Sequence, residues 1–392
     1  MTGVQTCALP IFAIRDFRNY VEADLDLAHT RNIFIGQSAQ GKTNLLEALE
    51  LISTGRAARA GHERELLRIG ADRCMVQVNY EAFGYQDNAV VELIKGDKAA
   101  GGNDKISRKA RLNGVAQKAG RRPTGRLCIV SFAARDLDLL RTGPLVRRDW
   151  LDAIAIKIRQ QHAECLDRYE KILAQRNRLI KQFFESGMGL DEDQMKIWDR
   201  QAAYHGAQIV KVRIDLIAEM QEPARQHLSH ISGQTDMMQL AYLCKADPLL
   251  SLEDLSALDI PEMARMLYRK MKERRQEELA RRQSLVGPHR DDLLISIGGL
   301  DASAFASQGQ QRSVVLALKL AELDLVVSHL QETPVLLLDD VLAELDPMRQ
   351  RLLMERVSDG MQTFVTTTHL DGFREEWLKD AQIVHVHGGS LK

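Results

Sequence analysis

The amino-acid sequence predicts an α/β fold, a mixed sheet with helices, interrupted by an inserted helical lobe. Three observations carry that expectation. A short apolar strand, Arg31 to Ile35, runs directly into the glycine-rich segment GQSAQGKT at Gly36 to Thr43, and a helix follows from Thr43 to Ser53. From Pro144 the pattern turns helical for about 90 residues. Strand texture then returns after Gly287, including the buried run Val335 to Leu338 that ends in Asp339-Asp340.

The bulk properties set the frame. A chain of 392 residues is long enough for two or three domains with a real core. Hydrophobic residues at 45% and charged residues at 27% exclude a disordered chain. Lys and Arg (53) nearly cancel Asp and Glu (54), giving a net charge of -1, so attraction to a polyanion must come from local patches. Cys7, Cys74, Cys128, Cys165 and Cys244 show neither C-x-x-C spacing nor a zinc-ligand pattern, and read as free thiols in a reducing compartment. No apolar run reaches the length of a membrane span, so no membrane partner is expected. Residues 1–11 lack the features of a secretory signal, and Pro10 interrupts a strand start; they are expected to be foreign to the fold or disordered.

Taken in order, Phe12 to Asp26 alternates loosely, and Met75 to Tyr80 and Ala89 to Ile94 are further Val-rich strands. Lys105 to Arg126 carries eight basic residues and no acidic one, a local positive stripe. In the lobe, Leu151, Ile154, Ile158, Cys165, Tyr169 and Ile172 share one helical face. Trp198, Ala202, His205, Ile209, Val212 and Leu216 form a second, with a break at Ser186 to Asp193. A strand at Met238 to Tyr242 and a charged helix from Pro261 to about Ser284 complete the lobe; the charges of Arg265 to Arg282 read as a solvated face. Asp292 to Ile297 with Gly298-Gly299 reads as a strand and hairpin turn, Gln308 to Leu330 as a long helix, Pro347 to Val357 as a helix, and Thr363 to Thr367 and Ile383 to Val386 as strands. The division expected is a head of residues 12–143 and 287–392, with a lobe of 144–286 inserted.

The chemistry is concentrated in a few segments. Gly36, Gln37, Ser38, Ala39, Gln40, Gly41, Lys42 and Thr43 match G-x-x-x-x-G-K-[ST], a pattern that arises by chance in roughly one chain per hundred of this length. Its backbone N–H groups and the helix dipole suit phosphate, Lys42 would reach the β and γ phosphates, and Thr43 would ligate Mg2+. Asp339, at the end of the buried strand, would hold the metal's water shell, and Asp340 is the candidate general base for an attacking water. Ser307, Gly309 and Gln310 open the long helix as a second phosphate-binding arrangement, which suggests a composite site between two chains. Glu344-Leu345-Asp346 resembles a loop that crosses such an interface. His369 is a candidate γ-phosphate contact, weighed evenly against an exposed loop histidine.

GQSAQGKT, SQGQQ, LLLDD, ELD and TTTH, in that order, resemble the ATP-binding-cassette (ABC-type) heads of chromosome-maintenance and repair ATPases. With FRNY at Phe17 to Tyr20, GPHRDDL at Gly287 to Leu293 and LLLDDVLAELD at Leu336 to Asp346, the chain is similar to the RecF family of bacterial recombination mediators from about Phe12 to its end. Ser38 departs from the family's usual Asn, and Arg135 stands where an acid is typical. Only 263 residues separate Thr43 from Ser307, too few for the long coiled coils of the larger chromosome-maintenance relatives.

The resemblance implies a cytoplasmic, nucleoid-associated protein of recombinational repair, replication restart and the SOS response. It implies ATP and Mg2+ as cofactors, an ATP-dependent homodimer, slow DNA-stimulated hydrolysis, binding to double-stranded DNA and single-strand/double-strand junctions, and recombinase loading at gaps with RecR and RecO. Arg56, Arg59, Arg108, Lys109, Arg111, Arg121 and Arg122 are the candidate DNA phosphate contacts, set against a reading of the stripe as a solvated face. The alternatives are an ABC-type ATPase of another DNA-maintenance or transport-coupling system, an ATPase-linked nuclease, which would need a further acidic metal domain, and a small-molecule P-loop kinase, which leaves SQGQQ unexplained.

Overall fold

The computed structural model describes residues 5–28, 30–55, 62–98, 104–117, 126–159, 161–185, 189–233, 237–357, 360–370, 373 and 375–392. Contacts divide the chain into two compact units, Met1–Asp136 with Val326–Lys392, and Leu137–Leu325. Insertion of the second into the first matches the expected plan, but the boundaries differ. Residues 137–143 and 287–325, expected in the head, belong to the inserted unit. The reason is strand pairing: the strand Asp292–Ile297 completes its ladder with Met238–Leu243 of the lobe.

The first unit contains two large sheets and, among the described residues, a short parallel pair of Gln5–Thr6 with Glu332–Thr333. The antiparallel one runs through β1 (Ala8–Phe17), β2 (Tyr20–Asp26), β4 (Arg73–Ala82), β5 (Tyr85–Lys98) and β6 (Asp104–Leu112), in the order β2-β1-β4-β5-β6 with Val115–Ala116 at the edge. The other joins β3 (Arg31–Ile35), β7 (Ile129–Ala133), β10 (Val335–Asp339), β11 (Thr363–Thr367) and β12 (Ala381–His387) as parallel neighbours in the order β12-β3-β11-β10-β7. Every residue of β10 and β11 is buried, as parallel strands covered on both faces must be. Because the strands run together, Ile35, Thr367, Asp339 and Ala133 end at one edge.

Helix α1 (Lys42–Thr54) starts at that edge and packs Leu45, Leu46, Leu49 and Ile52 into the same apolar cluster as Phe12, Ile14, Val76, Val78, Leu337 and Phe364. Full burial of each such side chain stabilises by about 1.5–3 kcal/mol. The helix that follows the glycine-rich loop is thereby fixed by residues of both sheets.

Residues 5–11, expected outside the fold, belong to it. Leu9 is fully buried, its N–H donates to Gln362 Oε1 at 2.6 Å, and Gln362 Nε2 donates back to Leu9 O at 3.0 Å. Pro10 is tolerated because the β1–β4 register shifts between Ala8 and Ile11, so its missing N–H breaks no regular ladder.

The second unit is built on α2 (Pro144–Ile158), α3 (Gln161–Glu185), α4 (Glu192–Ser232) and α5 (Ile260–Glu273), with α6 (Arg275–Arg281) and the strands β8 (Met238–Leu243) and β9 (Asp292–Ile297). The first expected lobe face is broken between Ile158 and Gln161 into two helices. Gly298 and Gly299 both take positive φ, 55° and 81°, and close the β9 hairpin as the sequence indicates. The charged stretch Arg265 to Arg282 is not simply solvated. Glu278 is fully buried, and with Asp199 and Ser284 it satisfies the fully buried Arg176. A long helix, α7 (Gln308–Leu330), follows, and α8 (Pro347–Arg356) lies after β10. Among the described residues no helix is long and apolar enough to cross a membrane.

Candidate nucleotide site

The loop between β3 and α1 is shaped by close approach. A Cβ on Gly36 would fall 2.3 Å from the Val386 carbonyl oxygen, and one on Gly41, where φ is 113°, would fall 2.5 Å from Asn19 Nδ2. Only glycine fits either place. Around them, Asn19 Nδ2 donates to Gln40 O at 3.0 Å, Tyr20 OH donates to Gly41 O at 3.1 Å, and Asn44 Nδ2 donates to Asn19 Oδ1 at 2.8 Å. Gly388 N donates to Gln40 Oε1 at 2.7 Å and Gly389 N to Gln40 O at 3.1 Å. The FRNY turn and the C-terminal hairpin therefore brace the loop. FRNY stands out in the sequence, but nothing in its spacing marks it as a neighbour of Gly41.

Helix α1 begins without a side-chain cap and with no acid in its first turn. Its N-terminal N–H groups and dipole are left for an anion. Gln37, Ser38 and Ala39 are exposed at the tip of the loop, and Ala39 takes φ 64°. Lys42 is buried, its Nζ donating to Gly36 O at 2.6 Å and Gln37 O at 2.9 Å. Burial lowers its pKa below the usual lysine value, while the nearby Asp340 and Asp339 act in the opposite sense.

The carboxylates sit on a shared hydroxyl scaffold. Thr43 Oγ1 and Thr366 Oγ1 each donate to Asp339 Oδ1 at 2.8 Å, and Asp340 N donates to Thr366 Oγ1 at 2.9 Å. Asp340 is held at φ 54°, and its Oδ1 is buried with no hydrogen-bond partner. Hydroxyl and carboxylate oxygens with one unsatisfied buried acceptor fit a hard divalent cation such as Mg2+, with Thr43 and Asp339 as its protein groups. Thr366 was not singled out by sequence reasoning, which read the TTT run only as a strand end before His369. His369 is exposed just past β11, and its backbone exchanges hydrogen bonds with Thr367 Oγ1.

In the inserted unit, Ser307, Gln308, Gly309 and Gln310 are exposed at the start of α7. Ser307 N donates to Gln310 Oε1 at 2.9 Å and Gln310 N donates to Ser307 Oγ at 3.3 Å, a reciprocal capping box. A Cβ at Gly309 would meet open space. Asp346 caps α8 by accepting from Met348 N and Arg349 N.

Of the candidate DNA contacts, Arg56 and Arg59, and Arg121 and Arg122 of the basic stripe, lie outside the described residues. Arg108, Lys109 and Arg111 are on β6, where alternation splits them. Arg108 shares the face of Ile106 and Ala110, donates to Gly55 O and pairs with Glu63 at 3.5 Å. Lys109 and Arg111 point to the opposite face and are exposed. Arg108 is thus partly neutralised, and the outward pair carries the available charge.

Residues 8–389 match the family described as the RecF/RecN/SMC N-terminal domain. The chain is 39% identical over 375 residues to a DNA replication and repair protein RecF of Synechococcus sp. (strain JA-3-3Ab), covering 96% of this chain and 95% of the relative. It is 39% identical over 378 residues to the RecF of Gloeobacter violaceus, with 96% of each covered. A solved structure of the recombination mediator protein RecF with ATP, in the RecFOR pathway, superposes with a TM-score of 0.87 at 28% identity, over 100% of this chain and 98% of the other. The fold is that of ABC-type ATPase heads.

Proposed function

The chain belongs to the RecF family, and from that premise we propose that it is an ATP-dependent DNA-binding protein of recombinational repair and replication restart. In this reading it binds double-stranded DNA and single-strand/double-strand junctions as an ATP-induced homodimer, hydrolyses ATP slowly with stimulation by DNA, and promotes recombinase loading at gaps with RecR and RecO.

The supporting observation is the oxygen set at the strand edge, where Thr43, Asp339, Thr366 and Asp340 meet the glycine loop. Mg2+ bound by Thr43 and Asp339 would supply charge neutralisation at the β and γ phosphates. Lys42 would turn its ammonium from the Gly36 and Gln37 carbonyls to those phosphates. Asp340 would take a proton from the attacking water at its unsatisfied Oδ1, and His369 would contact the γ phosphate. The loop residues Gly36 to Thr43 would cradle the phosphates in one protomer. Ser307, Gly309 and Gln310 of a second protomer, free of side-chain crowding at Gly309, would close the site from the other side. Nucleotide then links the protomers only while its γ phosphate persists.

Lys109 and Arg111, with Arg56, Arg59, Arg108, Arg121 and Arg122, would neutralise DNA phosphates with little base readout. Asp340→Asn tests the core of the reading. It is expected to keep ATP affinity, lose turnover, and accumulate dimers by light scattering in Mg-ATP and duplex DNA. Ordinary hydrolysis by this variant would rule out Asp340 as the base, and a monomer under saturating Mg-ATP and DNA would rule out the shared nucleotide.

A further inference from the structure

One cation of the first unit has no part in the scheme so far. Arg135 lies on the turn directly after β7, two residues past Ala133, which is the register partner of Asp339. Parallel pairing therefore delivers it to the edge where Gly36, Thr367 and Asp339 emerge. The turn is fixed by Asp136, whose Oδ2 accepts from Ala133 N at 2.9 Å.

The Arg135 guanidinium is only half satisfied. Nη2 donates to Glu50 Oε1 at 2.7 Å and Oε2 at 2.5 Å, and Glu50 is on α1, the helix that opens with Lys42 and Thr43. Nη1 is buried and has no hydrogen-bond partner. A buried cationic donor without an acceptor is costly, and one that persists calls for a ligand that supplies the acceptor. Burial disfavours the charge on Arg135, yet Glu50, then Asp136 and Asp339, outweigh it, so the group stays charged.

We propose that Arg135 is a nucleotide-contacting residue whose Nη1 donates to an anionic oxygen of the terminal phosphate of a nucleoside triphosphate held by Lys42 and Thr43. Glu50 acts as its positioning residue, fixing the guanidinium from the same helix that binds the phosphates. The contact deepens the nucleotide reading and rests on it. A diphosphate ends one phosphate short, so Arg135 makes the site discriminate between triphosphate and diphosphate.

The test is calorimetric binding of ATP and ADP, each with Mg2+ and with EDTA, to the full chain and to Arg135→Gln, Arg135→Lys and the double variant Glu50→Gln/Arg135→Gln. Loss of one charge-assisted hydrogen bond predicts ATP affinity down about tenfold or more in Arg135→Gln, with ADP affinity changed by less than about twofold. Arg135→Lys, which keeps the charge and loses the fork, should fall between. The double variant removes the unpaired Glu50 and so separates folding from binding; it should bind ATP as weakly as Arg135→Gln while melting nearer the parent. Equal weakening of ATP and ADP would mean that Arg135 only ties β7 to α1, and unchanged binding in folded variants would mean that it touches no nucleotide. Either overturns the proposal. A parent chain that binds neither nucleotide would instead sink the P-loop reading.

Discussion

Thr366 is the sharpest place to test the carboxylate scaffold. Its hydroxyl donates to Asp339 Oδ1 and accepts from Asp340 N, at 2.8 and 2.9 Å. Thr366→Val keeps the volume and shape of a fully packed strand residue and removes both bonds. The Asp340 N–H is left without its acceptor, at about 1–3 kcal/mol. That bond also helps to hold Asp340 at φ 54°, a left-handed conformation that costs a non-glycine residue about 1–2 kcal/mol. With the restraint gone, Asp340 relaxes and its carboxylate loses its aim. A loss of 1.4–2.7 kcal/mol in transition-state stabilisation corresponds to roughly ten- to a hundredfold in turnover. The Thr366 hydroxyl bonds to Asp339 and Asp340 and not to Lys42, whose Nζ bonds to Gly36 O and Gln37 O, so ATP affinity should move by less than about threefold. Steady-state turnover and calorimetric ATP binding, alongside a thermal melt, make the measurement, and Thr366→Ser should restore all three. Turnover within twofold of the parent, in a variant whose melt shows the lost bonds, would refute the idea that Thr366 positions the acid pair. Parallel collapse of ATP affinity would refute the separation between loop and scaffold.

Three further outcomes are expected. Gln362→Leu removes the side chain that serves Leu9 N, Leu9 O and Ala28 O, so stability should drop by about 2–5 kcal/mol in denaturant unfolding; a neutral result would mean that residues 7–11 do not hold the strand position described. Lys109→Ala/Arg111→Ala should lower the slope of log affinity against log salt for duplex DNA by about 2 per protomer and weaken all sequences alike, whereas an unchanged slope would remove β6 from the DNA surface. His289 accepts from Tyr169 OH and donates to Ser284 O, and burial pushes its pKa down to about 3. The unfolded chain then binds the extra proton below about pH 6.5, so the neutral His289 contribution is fully present above that pH and is lost as pH falls towards 3. Between pH 7 and pH 5 that loss is about 2 kcal/mol. Asp291, raised to about 6 first by burial, has the opposite slope between about pH 6 and pH 3.8. His289→Gln should therefore flatten the acid limb of the stability profile by about 2 kcal/mol, and an unaltered profile would show that His289 is not held neutral.

Much of the site was readable before any coordinates. Gly36 to Thr43, Asp339-Asp340 and Ser307 to Gln310 stand out in the sequence as candidates because phosphate binding and metal ligation call for particular residue types at short spacing. The missing parts have a common character. Asn19, Tyr20 and Gly388 reach the loop from segments far away in the chain, and Thr366 acts through one hydroxyl in a run of three threonines. The basic stripe was read as a unit because charge runs are counted along the chain, while strand alternation sends Arg108 to one face and Lys109 and Arg111 to the other. Glu278 misled for the converse reason: a carboxylate among surface-type charges is buried only because Arg176 meets it from another helix.

The order of motifs and the insertion of a helical unit into an α/β one are local or periodic properties, so the amino-acid sequence settles them without help. Register and long-range pairing belong to the tertiary structure. The parallel ladder from β7 through β10 and β11 to β3 brings Arg135, Asp339, Thr366 and Gly36 to one edge across more than 300 residues of chain. No local pattern encodes which strands neighbour one another, because that choice is made by burying both faces of the sheet at once.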